Sequence, residues 1–520
     1  MSSVESKMPL PEKTQVYSTD SGAGDVEVLK PSEELDVGAG YANLLQDCPY
    51  TREEEVALRW RLDRRILAIL FFNVILASVD KTSTSTGALY GLKTDNDLTG
   101  NRYSWVGSSF YFGYLIASIP AAWAMQRFPI AKVIVSCQLV WGILLLAMGF
   151  LSSWPGLLAL RIILGMLEAP IIPGAVIMLG MWYPRRDLAL RLGFFYTGFA
   201  QLITGPIGYG VGFITGTWFK PWRVFFWILG GITIIWAIIT AFLLPDSPVS
   251  AKFLSEREKA IAIERMRADQ TGIENKHWKW DQVREVVLDP KTWLLFLFNI
   301  WVSIPNGGLT NFTPLIVNGL GYSSQRAALL TMPTGIMETV SAVIINGTIF
   351  LVITRYNSKL QLRGLLIILG LIVGMVAAVF LYTLPLTALH TRLGALYVSF
   401  FYLGPYIVSL GFITQNTAGH TKKVVLNALC FVANCVSNII GPQFFKSNQA
   451  PLYPLGMGAI FVSYALSILT TALYMAYCWN ENRKRDRAAE ATGEQSVDVH
   501  LDTDFKDLTD MQNPHFRYVW

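Results

Sequence analysis

Charged residues interrupt several long apolar stretches of this 520-residue chain. A charge without a partner in the hydrocarbon core of a membrane costs several kcal/mol, so such residues are rarely incidental. A basic side chain at that depth can hold an anion, and an acidic one can carry a proton. We therefore look for the chemistry of this chain at five positions, Asp80, Lys81, Arg161, Glu168 and Glu338.

Arg161 and Glu168 share one stretch and are seven positions apart. At about 100° per residue they lie on the same helix face, but about 10.5 Å apart along the axis, which is too far for a direct ion pair. Each therefore needs another partner. Asp80 and Lys81 are expected at a depth similar to that of Arg161, so a contact between Asp80 and Arg161 is geometrically feasible.

Two interpretations of these charges remain open. In the first, Asp80, Lys81 and Arg161 form a fixed ion cluster that ties two helices together. A purely structural tie, however, needs no second acid at the membrane midplane. We therefore expect Glu168, and after it Asp80, to carry the coupled proton. Arg161, assisted by Lys81, is expected to hold a carboxylate, whereas Glu338 fits a polar helix interface as well as a cavity wall.

Membrane helices must position these residues. The chain is 52% hydrophobic and 15% charged with a mean hydropathy of +0.40, whereas soluble domains carry about 25% charged residues. Twelve stretches are long enough to cross a hydrocarbon core of about 30 Å. The sequence thus predicts an all-α membrane protein with twelve transmembrane helices in two six-helix halves, with spans near 66–90, 103–126, 131–151, 155–181, 190–215, 223–244, 291–317, 327–353, 362–384, 392–416, 424–445 and 454–479.

The polar segment in the middle divides the chain. We predict a disordered tail at 1–60, an N-terminal half at 61–245, a linker at 246–289, a C-terminal half at 290–480 and a tail at 481–520. The loops on the linker side carry most of the Lys and Arg residues beside the spans, which predicts that this side is cytoplasmic. Both tails are then cytoplasmic as well, in a multi-pass protein expected in the plasma membrane.

The same patterns argue against other classes of protein. The net charge is only +5, and the basic residues lie beside the spans rather than in a stripe, so no nucleic-acid partner is expected. The cysteines show no paired spacing, and all five histidines lie outside the predicted spans. We therefore expect no metal site, no cofactor and no enzymatic activity, and a lipid bilayer as the surroundings.

Side-chain amides recur within the predicted spans. Most such groups bond neighbouring helices, each contributing well under about 2 kcal/mol. Gln201 and Asn434 are the best candidates for a role beyond packing, and Asn311 and Asn427 are included with them as possible substrate-binding residues.

Several short motifs, taken in their order along the chain, resemble those of a known family. They include Asp80-Lys81-Thr82, Phe110-Tyr111-Phe112-Gly113-Tyr114-Leu115, the Arg161 to Glu168 stretch, Pro245-Asp246-Ser247-Pro248, Asn306-Gly307-Gly308 and Ala418-Gly419-His420-Thr421-Lys422-Lys423. From about residue 60 to 480 the chain resembles fungal members of the major facilitator superfamily, in the anion:cation symporter family and its allantoate permease group.

The resemblance implies proton-coupled transport of small organic anions. In that family the first-span acid and base, here Asp80 and Lys81, share proton coupling and carboxylate binding with the fourth-span Arg and Glu. The resemblance also places Gln201 and an eleventh-span Asn at substrate-contacting positions, and Tyr111 joins the substrate-binding candidates.

The predicted function is therefore import of a small carboxylate with protons. Allantoate, another ureido acid, a short peptide and a vitamin-like carboxylate are all compatible with it. One alternative is an exporter of a secondary metabolite, indicated by Gly205-Pro206 in the fifth span. Another is a transporter-like nutrient sensor that signals through its tails.

Overall fold

The computed structural model describes residues 50–193, 195, 198–268, 278–356, 362–492 and 508–520. This part of the chain consists of helices joined by turns, short 3-10 segments and irregular connections. Most of the predicted N-terminal tail, residues 1–49, and the middle of the linker, residues 269–277, lie outside the described residues.

Each predicted span corresponds to one helix or to consecutive helices, numbered here from first to twelfth. The first six are Ala68–Ala88, Arg102–Arg127, Ile130–Met148, Trp154–Glu168 with Ile171–Trp182, Arg185–Gly193 with Phe199–Val211, and Pro221–Leu243. The other six are Pro290–Gly319, Ser324–Leu330 with Met332–Tyr356, Arg363–Thr383, Leu389–Val398 with Ser399–Tyr402 and Leu403–Gln415, His420–Ile440, and Pro454–Thr492. The linker contains Glu256–Ala268 and Trp280–Leu288.

Among the described helices, eight are long and apolar enough to cross a membrane, and the bent pair Trp280–Leu288 and Pro290–Gly319 makes nine. The first, second and fifth spans are not among them. The first and second spans contain many hydroxyl side chains, which lower their mean hydropathy, and the described part of the fifth span consists of two helices of only 9 and 13 residues. The prediction of an all-α membrane protein is confirmed.

The two halves meet chiefly along three pairs of spans. The first span packs against the seventh, the second against the eleventh, and the fifth against the eighth. In the last pair the backbones of Gly198 and Gly335 touch, and a Cβ on either residue would collide with the other backbone. Glycine is required at both positions for this approach. We call the end of the bundle that carries the linker the linker end, and the opposite end the far end.

The fourth span is interrupted in its middle, directly after Glu168. Pro170 and Pro173 lack the backbone N–H groups that a continuous helix would need there. One turn before the break, a Cβ on Gly165 would collide with the carbonyl oxygen of Phe110 in the second span. The break and this close helix contact together fix the position of Glu168 inside the bundle.

A helix at Arg52–Leu62 corrects the prediction of disorder up to residue 60. The Thr51 Oγ1 accepts a hydrogen bond from the Glu54 N–H at 3.3 Å, and the Glu54 carboxylate accepts one from the Thr51 N–H at 2.9 Å. Glu54 also pairs with Arg257 of the linker helix at 2.7 Å. Capping and ion pairing therefore order a helix that is too polar to be recognised by hydrophobic periodicity.

The segment 508–520 packs against the linker end of the second half. Asp510 is fully buried there, 2.5 Å from the Nζ of Lys291 and 2.9 Å from the Nζ of Lys422, and it accepts a hydrogen bond from the Tyr518 hydroxyl at 2.8 Å. Burial alone would raise the pKa of Asp510, but the two lysines more than offset it and hold the pKa below its usual range. We call the group of Glu285, Asp289, Lys291, Lys422 and Asp510 the tail cluster.

Two asparagines hold the backbone of the same segment. Asn416 accepts a hydrogen bond from the Val519 N–H at 2.7 Å and donates one to the Val519 carbonyl at 2.6 Å. Asn482 makes the same pair of bonds with Tyr518, each at 2.9 Å. The segment is therefore tied both to the end of the tenth span and to the extension of the twelfth.

Candidate functional site

Asp80, in the first span, is fully buried, and its carboxylate contacts three side chains. Its Oδ1 lies 3.3 Å from the Nη1 of Arg161 and accepts a hydrogen bond from the Ser83 hydroxyl at 3.1 Å. Its Oδ2 accepts a hydrogen bond from the indole N–H of Trp141 at 3.0 Å. The contact between Asp80 and Arg161 that the sequence made feasible is therefore present. Trp141, in the third span, is a partner that the sequence did not reveal.

Glu168 is equally buried but far less well bonded. Neither of its carboxylate oxygens has a hydrogen-bond partner among the residues that the structure describes. Its Oε2 lies 3.8 Å from the Nζ of Lys81, near the upper limit for an ion pair. That same Nζ lies 5.4 Å from the ring centroid of Tyr114 and 5.7 Å from that of Phe110. Lys81 is thus held loosely between one acid and two aromatic rings.

Neighbouring residues of the first span therefore pair with different residues of the fourth. Asp80 pairs with Arg161, and Lys81 pairs with Glu168. The four formal charges sum to zero, which lowers the cost of burying them in a membrane. The first pair is reinforced by hydrogen bonds, whereas the second is long and lacks them. We call these four residues the membrane cluster, and its second pair is the one suited to exchange partners.

A cavity of about 370 Å³ lies between the two halves. Small-molecule sites commonly occupy about 300 to 1,000 Å³. Neutral polar groups on its wall bond one another: the Asn306 amide donates to the Tyr402 hydroxyl at 2.6 Å, and the Asn434 amide donates to the Ser303 hydroxyl at 3.1 Å. The wall also includes Lys81, Tyr111, Tyr114, Ile172, Pro173, Tyr406, Leu410, Ile413, Asn427, Cys430 and Phe431.

Lys81 is the only charged residue on this wall within the part of the chain that the structure describes. Its side chain is 20% exposed, whereas those of Arg161 and Glu168 are 1% and 0% exposed. The membrane cluster thus presents one ammonium group to the cavity and keeps its other charges behind the wall. Such a surface favours a ligand that carries a negative group among neutral polar and apolar parts.

The cavity reaches the linker end, where Asn427 is exposed at its edge. At the far end the two halves are joined by hydrogen bonds. The Tyr103 hydroxyl donates to the Asn311 carbonyl at 2.7 Å, and the Gln325 amide donates to the Gly212 carbonyl at 2.9 Å. Together with Ser324 to Leu89, Ser104 to Phe445 and Ser108 to Ile439, these bonds form what we call the far-end seam.

The structure brings together some of the predicted substrate-binding residues and separates others. Arg161 faces Asp80 behind the cavity wall. Asn311 is 4% exposed, lies in the far-end seam and donates to the Gly307 carbonyl of its own helix at 2.8 Å. Gln201 lines a smaller space nearer the far end. The predicted residues that do line the cavity are Lys81, Tyr111, Asn427 and Asn434.

Several cavity residues were not singled out from the sequence. Tyr402 and Tyr406 belong to the tenth span, and Phe431 belongs to the eleventh. Aromatic residues are common in apolar spans, so their identity alone carries no signal. Tyr402 does end a 3-10 segment just before Gly404-Pro405, and this break in the helical pattern is readable from the sequence.

Glu338 lies in the eighth span and is 8% exposed. It is not among the residues that line the cavity. Its carboxyl group is close enough to Tyr402 and Tyr464 to interact electrostatically with both. Of the two interpretations left open by the sequence, this position fits a polar helix interface behind Tyr402.

Comparison with known proteins decides the family. The family model of the Major Facilitator Superfamily matches residues 70–442. The chain belongs to this superfamily. One relative is the MFS-type transporter cnsL of Penicillium expansum, 34% identical over 494 residues, which are 94% of each chain. Another is the allantoate permease of Saccharomyces cerevisiae, 32% identical over 505 residues, covering 95% of this chain and 92% of the permease.

A solved structure shares the fold. A bacterial homolog to the human lysosomal transporter Spinster, in an inward-facing and unoccupied conformation, matches with a TM-score of 0.58. The match covers 79% of this chain and 95% of that chain at 19% identity. The predicted major facilitator fold is therefore confirmed. The family and the fold are those of multi-pass membrane transporters that act on small molecules.

Proposed function

We propose that this superfamily member imports a small organic anion together with protons by alternating access. The observation that carries the proposal is the single ammonium group of Lys81 on a cavity wall otherwise built from neutral groups, within the described residues. Its similarity to a protein named allantoate permease supports a carboxylate such as allantoate, another ureido acid, a short peptide or a vitamin-like acid.

The pairing of Lys81 with Glu168 suggests how a proton would be coupled to the anion. A substrate carboxylate that binds Lys81 places a second negative charge near Glu168, 3.8 Å away from the same ammonium. Two carboxylates sharing one cation repel each other in a medium of low dielectric constant. Protonation of Glu168 removes that repulsion and releases Lys81 to the substrate. One proton and one anion then enter together, and the buried charge of the loaded protein is unchanged.

Asp80 and Arg161 would support this exchange from behind the wall. Their contact with Ser83 and Trp141 holds the first span against the third and fourth, and so fixes the direction in which Lys81 points. Asp80 remains the second candidate for coupling, because its protonation would free Arg161 to assist Lys81. In this proposal Arg161 acts on the substrate only after that release.

The orientation follows from the basic loops. The linker end carries most of the Lys and Arg residues beside the spans, so we propose that it faces the cytoplasm, with both tails, and that the protein resides in the plasma membrane. The cavity of this structure then communicates with the cytoplasm, as expected of a state that releases an imported substrate.

Uptake of labelled allantoate and other small acids into proteoliposomes tests the proposal. Lys81→Gln should abolish uptake and weaken anion binding by about ten- to a hundredfold, since a charge-assisted hydrogen bond is lost. Lys132→Gln, an exposed lysine beside the third span, is the matched control and should change neither. Normal anion binding by a folded Lys81→Gln protein would overturn the proposal.

The same assay separates the alternatives that the sequence left open. An exporter would load inside-out vesicles from the medium and fail to load right-side-out ones. A nutrient sensor would bind the acid, with an affinity that depends on Lys81, and would show no flux in either orientation.

A further inference from the structure

A second, smaller space separates the cavity from the far-end seam. It measures about 20 Å³, enough for about one water molecule. Gln201 and hydroxyl side chains from the first, fifth, seventh and eighth spans line it, and no charged side chain of the described residues does. We call it the hydroxyl chamber.

Most of the lining hydroxyls donate their hydrogen bonds to backbone carbonyls rather than into the chamber. Five of them donate their protons to carbonyls of their own span: Thr82 to Val79 at 2.9 Å, Ser85 to Thr82 at 2.7 Å, Thr204 to Ala200 at 3.2 Å, Thr331 to Ala328 at 2.7 Å and Thr334 to Thr331 at 2.6 Å. A hydroxyl that has used its proton in this way offers its neighbours only lone pairs. The chamber is therefore lined mainly by hydrogen-bond acceptors.

Two buried oxygens of residues that line the chamber have no hydrogen-bond partner among the described residues. They are the Oε1 of Gln201 and the Oγ1 of Thr313, whose residue is 4% exposed. Leaving a buried polar atom without a partner is energetically unfavourable, so such sites commonly receive a water molecule or a ligand. The occupant that suits this lining is a neutral hydrogen-bond donor.

The chamber adjoins the cavity along two helices. On the first span Lys81 lines the cavity, and Thr82 and Ser85 line the chamber. On the seventh span Asn306 lines the cavity, and Thr313 lies about two turns further toward the far end in the chamber. The step from Lys81 to Ser85 is about 6 Å along the helix axis. A single small molecule can therefore span both sites.

We propose that the hydroxyl chamber is the subsite that selects substrates bearing a neutral N–H or O–H donor a few bonds from the carboxylate. This rests on the proposed function, since Lys81 must hold the carboxylate. The chamber lies on the far-end side of Lys81, so a substrate entering through an open far-end seam meets both groups at once. In the present conformation the seam is closed and the chamber has the volume of a water molecule.

Two acids that differ in a single donor test this assignment. N-acetylglycine carries an amide N–H where O-acetylglycolate carries an ester oxygen, and the two have nearly the same shape and charge. Binding to the purified full-length protein should favour the amide by about tenfold. Thr204→Val and Thr313→Val should lower that preference to about twofold or less and leave ester binding unchanged. Thr348→Val, a change outside the chamber on the eighth span, should keep the full preference.

Equal affinity for the two acids in the unmodified protein would overturn the assignment, and so would a full preference that survives both chamber substitutions. Unchanged ester binding shows that each variant is folded, and either variant alone suffices if the other is not. Ester binding that Lys81→Gln fails to weaken would instead overturn the proposed function, so the two failures are distinguishable.

Discussion

The membrane cluster and the tail cluster both bury acids and bases, but they hold them very differently. In the tail cluster Asp510 contacts two lysines at 2.5 and 2.9 Å and accepts further bonds from the Tyr518 hydroxyl and the Ala418 N–H. In the membrane cluster, within the described part of the chain, Glu168 has one cation at 3.8 Å and no hydrogen bond.

The comparison distinguishes charged residues that stabilise the structure from charged residues that can exchange partners. A buried ion pair offsets its desolvation only when its geometry is good and its remaining hydrogen-bonding positions are filled. Asp510 meets that condition, so its removal should affect stability. Glu168 does not meet it and lies behind a cavity wall that carries the cation of the same pair. Its poor bonding is what the proposed release of Lys81 in each transport cycle requires.

Among the variants that test this comparison, we expect the largest effect at Glu168. Glu168→Gln should abolish accumulation driven by a pH gradient, because a neutral amide cannot be titrated, and should leave anion exchange at equal pH largely intact. Both are measured in proteoliposomes. Glu256→Gln, on the exposed linker helix, is the control and should behave as the unmodified protein. Gradient-driven accumulation that persists in the Glu168 variant would transfer the coupling role to Asp80.

The next largest effect is expected for a substitution of Arg161, and it concerns the stability of the protein. Arg161→Gln leaves the carboxylate of Asp80 buried without its cation, which should lower the free energy of unfolding by about 3 to 5 kcal/mol. Thermal unfolding in detergent measures it, and the double variant Asp80→Asn with Arg161→Gln should recover most of the loss. A single variant as stable as the unmodified protein, but unable to bind the anion, would make Arg161 a direct substrate ligand.

Asp510→Asn should have a smaller effect, because Asp289 and Glu285 still neutralise the lysines. We expect a loss of about 1 to 3 kcal/mol in the free energy of unfolding, with normal transport per folded molecule. Asp486→Asn breaks the exposed pair with Arg517 and should cost less than about 1 kcal/mol. A transport defect without a stability defect in the Asp510 variant would contradict the comparison between the two clusters.

The contribution of Asp510 should depend on pH in a definite direction. Its pKa in the folded protein lies below the ordinary value of 3.8, so the unfolded chain binds a proton more readily than the folded one. The stabilisation is therefore complete above the unfolded pKa and is lost as the pH falls through the folded pKa. The difference in unfolding temperature between the unmodified protein and Asp510→Asn should stay constant from neutral pH to about pH 5 and shrink in stronger acid.

The smallest perturbation tests orientation alone. Lys132→Cys at the linker end and Arg326→Cys at the far end, each in a background without native cysteines, should transport normally. A membrane-impermeant maleimide applied to intact cells should label position 326 and spare position 132. The reverse labelling pattern would mean that the cavity of this structure opens to the outer side. The structure would then not be the substrate-releasing state of an importer.

The sequence predicted the spans well and singled out the charged residues within them, because both leave a strong local signal. Long apolar runs mark the helices, and single charges stand out within them. It gave Arg161 the main role in holding the anion and Lys81 a supporting one. Which of the two faces the cavity depends on how the first and fourth helices are rotated against their neighbours, and a single sequence does not specify this. The role of Trp141 as a partner of Asp80 is likewise set by packing between distant helices.

The structure of the polar segments was also not predictable from the sequence. The Arg52–Leu62 helix and the docked segment 508–520 lack a hydrophobic period long enough to predict. Each is ordered by contacts to distant parts of the chain, such as Glu54 to Arg257 and Asn416 to Val519. Such contacts are invisible in one sequence. Asn311 shows a related limit, because an amide that bonds its own helix looks the same in a sequence as one that binds a ligand.

The far-end seam has a consequence for how transport responds to its surroundings. Across the described residues, its donors are hydroxyl and amide groups and its acceptors are backbone carbonyls, as in Tyr103 to Asn311 and Gln325 to Gly212. None of these groups titrates near neutral pH, and none attracts counterions. The equilibrium between closed and open seam should therefore be insensitive to proton and salt concentration by itself. Acidification would then act through the proposed substrate site, and the far-end seam would open at the same intrinsic rate in acidic and in neutral medium.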